Sequence, residues 1–146
     1  MKIALRLLYI LPVVAALCVC GYLVSSRAKK PSVHLLSGSA FASTPITNLT
    51  ARLFTAGGHL DAAGSDVFFE FRDALGAPAD VGEVTFELGL NMPGSITHSL
   101  FKVLPTSTVG QYRANVVPQI AGEWKAKLSI AGPRGHAEAG FPVTVK

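Results

Sequence analysis

The sequence contains very little cysteine. Its only two cysteines, Cys18 and Cys20, lie inside an apolar run near the N-terminus, so the rest of the chain has no thiol. A spacing of two residues would place these side chains about 200° apart around a helix, on different faces. We interpret both as small apolar residues. The soluble part therefore has no cysteine nucleophile, no cysteine-ligated zinc and no redox pair.

Charged side chains are also scarce. They make up 15% of the 146 residues, whereas 49% of the residues are hydrophobic. This balance excludes a mostly disordered chain. The length allows one globular domain of ordinary size together with a tail or anchor, and it leaves no room for a two-domain cofactor enzyme.

The net charge of +4 arises from the N-terminal region. Residues 1–30 contain five basic residues and no acidic residue; the five are Lys2, Arg6, Arg27, Lys29 and Lys30. Without them, residues 31–146 contain eight Lys+Arg and nine Asp+Glu, a net charge of −1. The positive charge therefore does not indicate a nucleic-acid partner.

Residues 7–24 form a run without a charged side chain. As a helix this run would span roughly 27 Å, close to the hydrocarbon thickness of a bilayer. We predict a membrane anchor over residues 1–26, a linker over 27–45 and one domain over 46–146. The run exceeds the apolar stretch of a signal peptide, which favours an uncleaved anchor. Cleavage after Val24-Ser25-Ser26 and lipidation at Cys20 are the alternatives.

The region beyond the linker shows period-two alternation. Residues 83–90 place Val84, Phe86, Leu88 and Leu90 on one face, and residues 122–130 place Trp124, Ala126, Leu128 and Ile130 on one face. Such alternation predicts strands with one buried and one solvated face. Weaker alternation predicts five more strands, over residues 47–54, 66–72, 99–104, 111–117 and 141–145.

Turn-forming residues separate these segments, and no helical pattern appears after residue 45. About seven short strands in roughly 100 residues indicate two packed antiparallel sheets. We therefore predict an all-β, immunoglobulin-like sandwich that lacks the inter-sheet cysteine pair of a true immunoglobulin domain.

The predicted strands are joined by short motifs in a distinctive order: Asn91-Met92-Pro93-Gly94, Val109-Gly110-Gln111-Tyr112, Gln119-Ile120-Ala121-Gly122-Glu123-Trp124 and Phe141-Pro142-Val143. Together with Gly64 and Leu75-Gly76-Ala77-Pro78, this order resembles the YtkA-like domain over residues 47–146. That domain is a small β-sandwich often found behind an N-terminal membrane helix, and the FixH-like proteins are related to it.

The resemblance implies an extracytoplasmic domain tethered to the membrane, with no defined enzymatic activity. We therefore expect a single-pass protein of the cell membrane whose C-terminal domain faces the periplasm or the exterior. Some members of the family occur in contexts that suggest copper handling or cytochrome oxidase assembly, which implies a membrane-protein partner. The alternative is a metal-free module that binds a partner through strand edges or loops.

The family's loop often reads Met-Pro-x-Met, followed by another Met or a His, and thioethers suit Cu(I). Here Met92 and His98 are present, but Ser95 and Thr97 stand where methionines are common. Met92 and His98 are therefore the candidate metal ligands, and a copper site needs a further ligand from His34, His59 or His136. The competing interpretation is that Met92 fills space at the sandwich end and His98 is a solvated imidazole.

Catalysis has little support in the sequence. Serines 95 and 99 lie near His98, but no serine lies in a nucleophile-elbow motif. Glu83 and Glu87 alternate with apolar residues and are most simply solvated surface. We therefore expect a protein that is not an enzyme.

Overall fold

The computed structural model describes residues 39–92 and 95–146, with the side chains of residues 91–96 outside that description. The described residues belong to one compact unit and form nine strands. These are β1 (Ser39–Ile46), β2 (Leu49–Thr55), β3 (Ser65–Asp73), β4 (Glu83–Met92), β5 (Ser95–Lys102), β6 (Leu104–Pro105), β7 (Gln111–Val116), β8 (Gly122–Gly132) and β9 (Gly135–Val145).

The strands form two sheets, and every neighbouring pair of strands is antiparallel. One sheet has the order β1-β2-β3-β7-β6 and the other has the order β5-β4-β8-β9. Buried apolar residues of both sheets form one core. The rings of Phe69 on β3 and Phe86 on β4 meet edge to face with centroids 5.3 Å apart. The two sheets are thus packed face to face, as the alternation predicts.

Two details differ from the prediction of about seven strands. β1 begins at Ser39, inside the segment predicted as linker. The segment predicted as one strand over residues 99–104 is divided, because β5 ends at Lys102 and β6 begins at Leu104 in the other sheet. The chain changes sheets at Val103, which period-two alternation cannot reveal, since alternation reports burial and not the identity of the neighbouring strand.

The burial predicted from the strongest alternation, in the segments that form β4 and β8, is confirmed for each residue. All four apolar residues predicted to face inward on β4 are buried, as are the four on β8. Trp124 is 2% exposed, and its indole N–H donates to the carbonyl of Ile120 at 3.1 Å. Trp124 is therefore a core residue and not an exposed binding platform.

The predicted membrane anchor over residues 1–26, including its apolar run over 7–24, lies outside the described residues. Within the two described ranges there is no helix long and apolar enough to cross a membrane.

Candidate functional site

A groove of about 810 Å³ lies along the outer face of the four-stranded sheet. Its lining includes Gly89 on β4 and Gly140 on β9, where the sheet presents no side chain to the outside. A glycine inside a strand weakens the strand and often marks a place where another molecule approaches the backbone. The two glycines therefore make this face concave where a typical sheet surface would be covered.

His98 lies at one wall of the groove. It pairs with Gly89 across the β4–β5 hairpin, and a Cβ added at Gly89 would lie 3.4 Å from the imidazole ring. The ring thus occupies the space that a larger residue at position 89 would fill. His98 Nδ1 is 2.8 Å from Glu87 Oε1, and the side chain of His98 remains 60% exposed. A proton on Nδ1 donates to the carboxylate and leaves Nε2 as the free ring nitrogen.

Two lysines of β8, Lys125 and Lys127, line the groove, and they differ in whether they form an ion pair. Lys127 Nζ is 2.9 Å from Glu138 Oε2. The hydrogen bond between them raises the pKa of the Lys127 ammonium and lowers the pKa of the Glu138 carboxyl. Lys125 has no ion-pair partner in the described part of the chain, and its Cε lies 3.8 Å from a Cβ position at Gly140. Lys125 is therefore the groove cation open to a ligand.

The predicted ligand pair Met92 and His98 is only partly described. The backbone register pairs Met92 with Ser95 and His98 with Gly89, so the two positions are separated by three residues along β4, about 10 Å. The side chain of Met92 lies outside the described residues. The copper site formed by this pair stays a prediction.

The other histidines do not gather around His98. His59 lies in the β2–β3 loop, where its Nδ1 is 2.8 Å from the Gly57 carbonyl and its Nε2 is 3.2 Å from Asp61 Oδ1. His136 is the second residue of β9, at the end of the sandwich away from the β4–β5 turn. His34 lies outside the described residues. Within residues 39–92 and 95–146 there is no group of three or more His, Cys, Asp or Glu that could hold a metal ion.

Most of the groove is not predicted by the sequence. Glu87 faces outward on β4, as its alternation with buried residues predicts, and it is also the hydrogen-bond partner of His98, which the sequence does not predict. The sequence feature that indicates the groove is the pair Gly89 and Gly140. Each lies inside a strand, where a glycine weakens the strand and often marks a place where another molecule approaches the backbone. The hydrogen bond between Glu87 and His98 depends on the register of the β4–β5 hairpin, which the sequence separation of the two residues does not give.

A second charged cluster lies on the outer face of the five-stranded sheet. Glu70 on β3 is almost fully buried and accepts a hydrogen bond from Arg72 Nη2 at 2.8 Å. Arg52 Nη1 lies 3.9 Å from the other carboxylate oxygen. The hydrogen bond from Arg72 is the main reason that the pKa of Glu70 is lowered below its ordinary value, against the opposing effect of burial. We interpret this cluster as structural.

This lowered pKa predicts an acid-sensitive contribution to stability. A carboxyl whose folded pKa is depressed stabilises the fold above its unfolded value of about 4.5, and this stabilisation is lost as the pH falls through the folded pKa. Glu70→Gln should therefore lower the free energy of unfolding by about 1–3 kcal/mol at pH 7 and by progressively less below pH 4.5. Urea unfolding between pH 7 and pH 3 measures the difference. Glu83→Gln, an exposed strand position, is the control, and a pH-independent difference at Glu70 would contradict the assignment.

Comparison with family models, with curated proteins and with solved structures finds no match for this chain.

Proposed function

We propose that this protein is a membrane-anchored, extracytoplasmic binding module that uses the groove to hold an extended segment of a membrane-protein partner. In this proposal the domain is an immunoglobulin-like sandwich without enzymatic activity, and residues 7–24 retain it at the membrane. The observation that carries the proposal is the groove itself, an open concavity over two strand glycines on an otherwise complete sheet.

The chemistry of the groove fits a polar, extended ligand. Two of its basic side chains, His98 and Lys127, are already paired with acids, whereas Lys125 is open to an incoming carboxylate. Pro142 and the alkyl stems of the lysines supply apolar contact along the same trough. A partner segment with an acidic side chain would meet Lys125 while its backbone lies along the groove between His98 and Gly140.

Filling the groove tests this function without disturbing the sheet. A Cβ at Gly140 would lie 3.8 Å from the Ala126 carbonyl, an ordinary contact, so Gly140→Val adds volume without a backbone conflict. We expect the full-length wild type and the control Thr50→Val, on the outer face of the other sheet, to co-purify the same partner from native membranes. Gly140→Val should lose most of that partner. Equal recovery by the groove-filled variant would contradict the proposal.

Copper handling is the second candidate, and one observation favours it. Histidines that bind metals usually donate their other ring N–H to a carboxylate, and the Nδ1 of His98 has this relation to Glu87. Cu(I) titration of the full chain under reducing conditions tests this role. Loss of binding in a Met92→Ala/His98→Ala variant, and binding about 10-fold weaker in Glu87→Gln, would support it. Unchanged binding in the double variant would exclude this pair as the site.

A further inference from the structure

The described residues present four sheet edges, namely β1 and β6 in the five-stranded sheet and β5 and β9 in the four-stranded sheet. An edge strand carries unpaired backbone N–H and C=O groups, which can pair with another strand. Natural proteins protect such edges with prolines, bulges, very short strands or a covering segment. The four edges of this domain differ in how far they are protected.

Both edges of the five-stranded sheet are protected. β1 contains Pro45, and its register with β2 shifts between Ala40 and Ala42, as at a β-bulge. β6 is only two residues long and ends in Pro105. Neither strand offers a long, regular row of backbone groups for pairing.

The β9 edge of the four-stranded sheet is protected in two ways. Pro142 removes one backbone donor from the strand. Its C-terminal end is covered by the β2–β3 loop, because the Lys146 N–H donates to the Leu60 carbonyl at 2.8 Å and the Ala62 N–H donates to the Lys146 carbonyl at 2.7 Å.

β5 has none of these protections. Its eight residues include no proline or glycine, and they pair with β4 without a register shift. Leu100, near the middle of the strand, is 72% exposed, and the one lysine, Lys102, is at the last position. Among the edges of the described part, β5 alone combines length, regularity and an exposed apolar side chain.

We propose that β5 pairs antiparallel with β5 of a second copy of this chain, so that the two four-stranded sheets become one continuous eight-stranded sheet. Pairing about a two-fold axis at Ser99 sets His98 opposite Leu100 and Thr97 opposite Phe101 of the second copy. No like charges then lie directly opposite each other, and the half-buried Thr97 of each copy gains the ring of Phe101 as a cross-strand neighbour.

Symmetry favours a second copy as the occupant of this edge. Each copy presents the same unprotected strand, and a two-fold contact uses both of these edges at once. The remaining outer strands of the dimer are the protected β9 edges, so the assembly closes at two copies. This inference rests on the proposed interaction function and specifies one of its surfaces.

Cross-linking at the two-fold axis tests the register. In the full-length chain purified in detergent, with Cys18 and Cys20 replaced by alanine, Ser99→Cys should form a covalent dimer with a short bismaleimide reagent. Ser43→Cys, on the protected β1 edge, is the matched control and should give no covalent dimer. Equal cross-linking at the two positions, or none at position 99, would overturn the proposal.

Placing a charge at the centre of the edge tests the contact without a cross-linker. Leu100→Lys should weaken dimerisation by at least about tenfold in analytical ultracentrifugation, because a lysine there has no acidic partner across the interface. Leu75→Lys, at an apolar loop residue that is 94% exposed, should leave the dimer intact. A dimer that survives Leu100→Lys would refute the β5 contact.

Gly140→Val, a substitution on β9, should lose the groove partner but keep the dimer. The groove proposal and the dimer proposal can therefore fail separately.

Discussion

Replacing Phe69 by alanine is expected to lower the free energy of unfolding by about 3–5 kcal/mol, the cost of truncating a fully buried phenylalanine. Phe69 is fully buried on β3, which lies in the middle of the five-stranded sheet. Its ring also meets Phe86 of the other sheet edge to face. The substitution therefore removes apolar burial and an aromatic contact that joins the sheets, and leaves a cavity between them.

The adjacent Phe68 provides a matched control. It has the same side chain on the same strand but faces outward and is half-buried, opposite Phe54 of β2. Phe68→Ala should cost about 1 kcal/mol, the usual size for a partly exposed position. Chemical denaturation followed by the fluorescence of Trp124 measures both variants. Similar losses for the two phenylalanines would show that the core is not centred on Phe69.

The sequence predicts the central strands well because their burial is one-sided. β4 and β8 lie inside the four-stranded sheet with one face on the core and one face outward, which is the condition that produces strict alternation. Edge segments lack this signal. β1 consists largely of small residues and begins with exposed positions, so Ser39–Thr44 resembles a linker in composition.

The first half of β9 also lacks the alternating pattern from which a strand could be predicted. Its residues 135–140 are small or exposed, and they form a strand because the β8–β9 hairpin continues its pairing back to Gly135. A hairpin extends through backbone hydrogen bonds once its register is set, and such bonds leave no hydrophobic pattern in the sequence.

The groove depends on tertiary register even more strongly. Gly89 and Gly140 are separated by 51 positions in the chain, and they line the same groove because β8 pairs with both β4 and β9. The sequence shows each glycine as an irregularity within a strand. Only the pairing of Gly89 with Lys125, and of Gly140 with Lys127, shows that the two irregularities belong to one surface.

The groove and the β5 edge are neighbouring features of one sheet. His98 belongs to both, since it lines the groove and stands on the exposed strand. Pairing of two β5 strands would therefore place two grooves side by side on a single surface. A dimeric partner or a partner with two similar segments would then bind through both grooves at once, which raises its overall affinity without a new contact.

Gly110→Ala is expected to lower the free energy of unfolding by roughly 3 kcal/mol or more, because left-handed backbone strain and steric overlap act together there. Gly110 has a φ of +75°, and its carbonyl accepts a hydrogen bond from the Phe71 N–H at 2.8 Å. A Cβ there would lie 2.8 Å from the Ala79 nitrogen and 2.9 Å from the Phe71 oxygen. Both are backbone atoms, and they hydrogen-bond to each other, so neither moves aside easily.

The variant Gly76→Ala separates the effect of backbone strain from the effect of steric overlap. The φ of Gly76, +79°, is nearly the same, but a Cβ at Gly76 would meet no atom within 4 Å. Gly76→Ala should therefore show the backbone strain alone, about 1–2 kcal/mol. The additional loss in Gly110→Ala is the difference in urea unfolding free energy between the two variants. It measures the steric overlap where the segments that contain Phe71, Ala79 and Gly110 approach one another. Equal losses would mean that the segments move apart at little cost, and that glycine is required at position 110 only for its left-handed conformation.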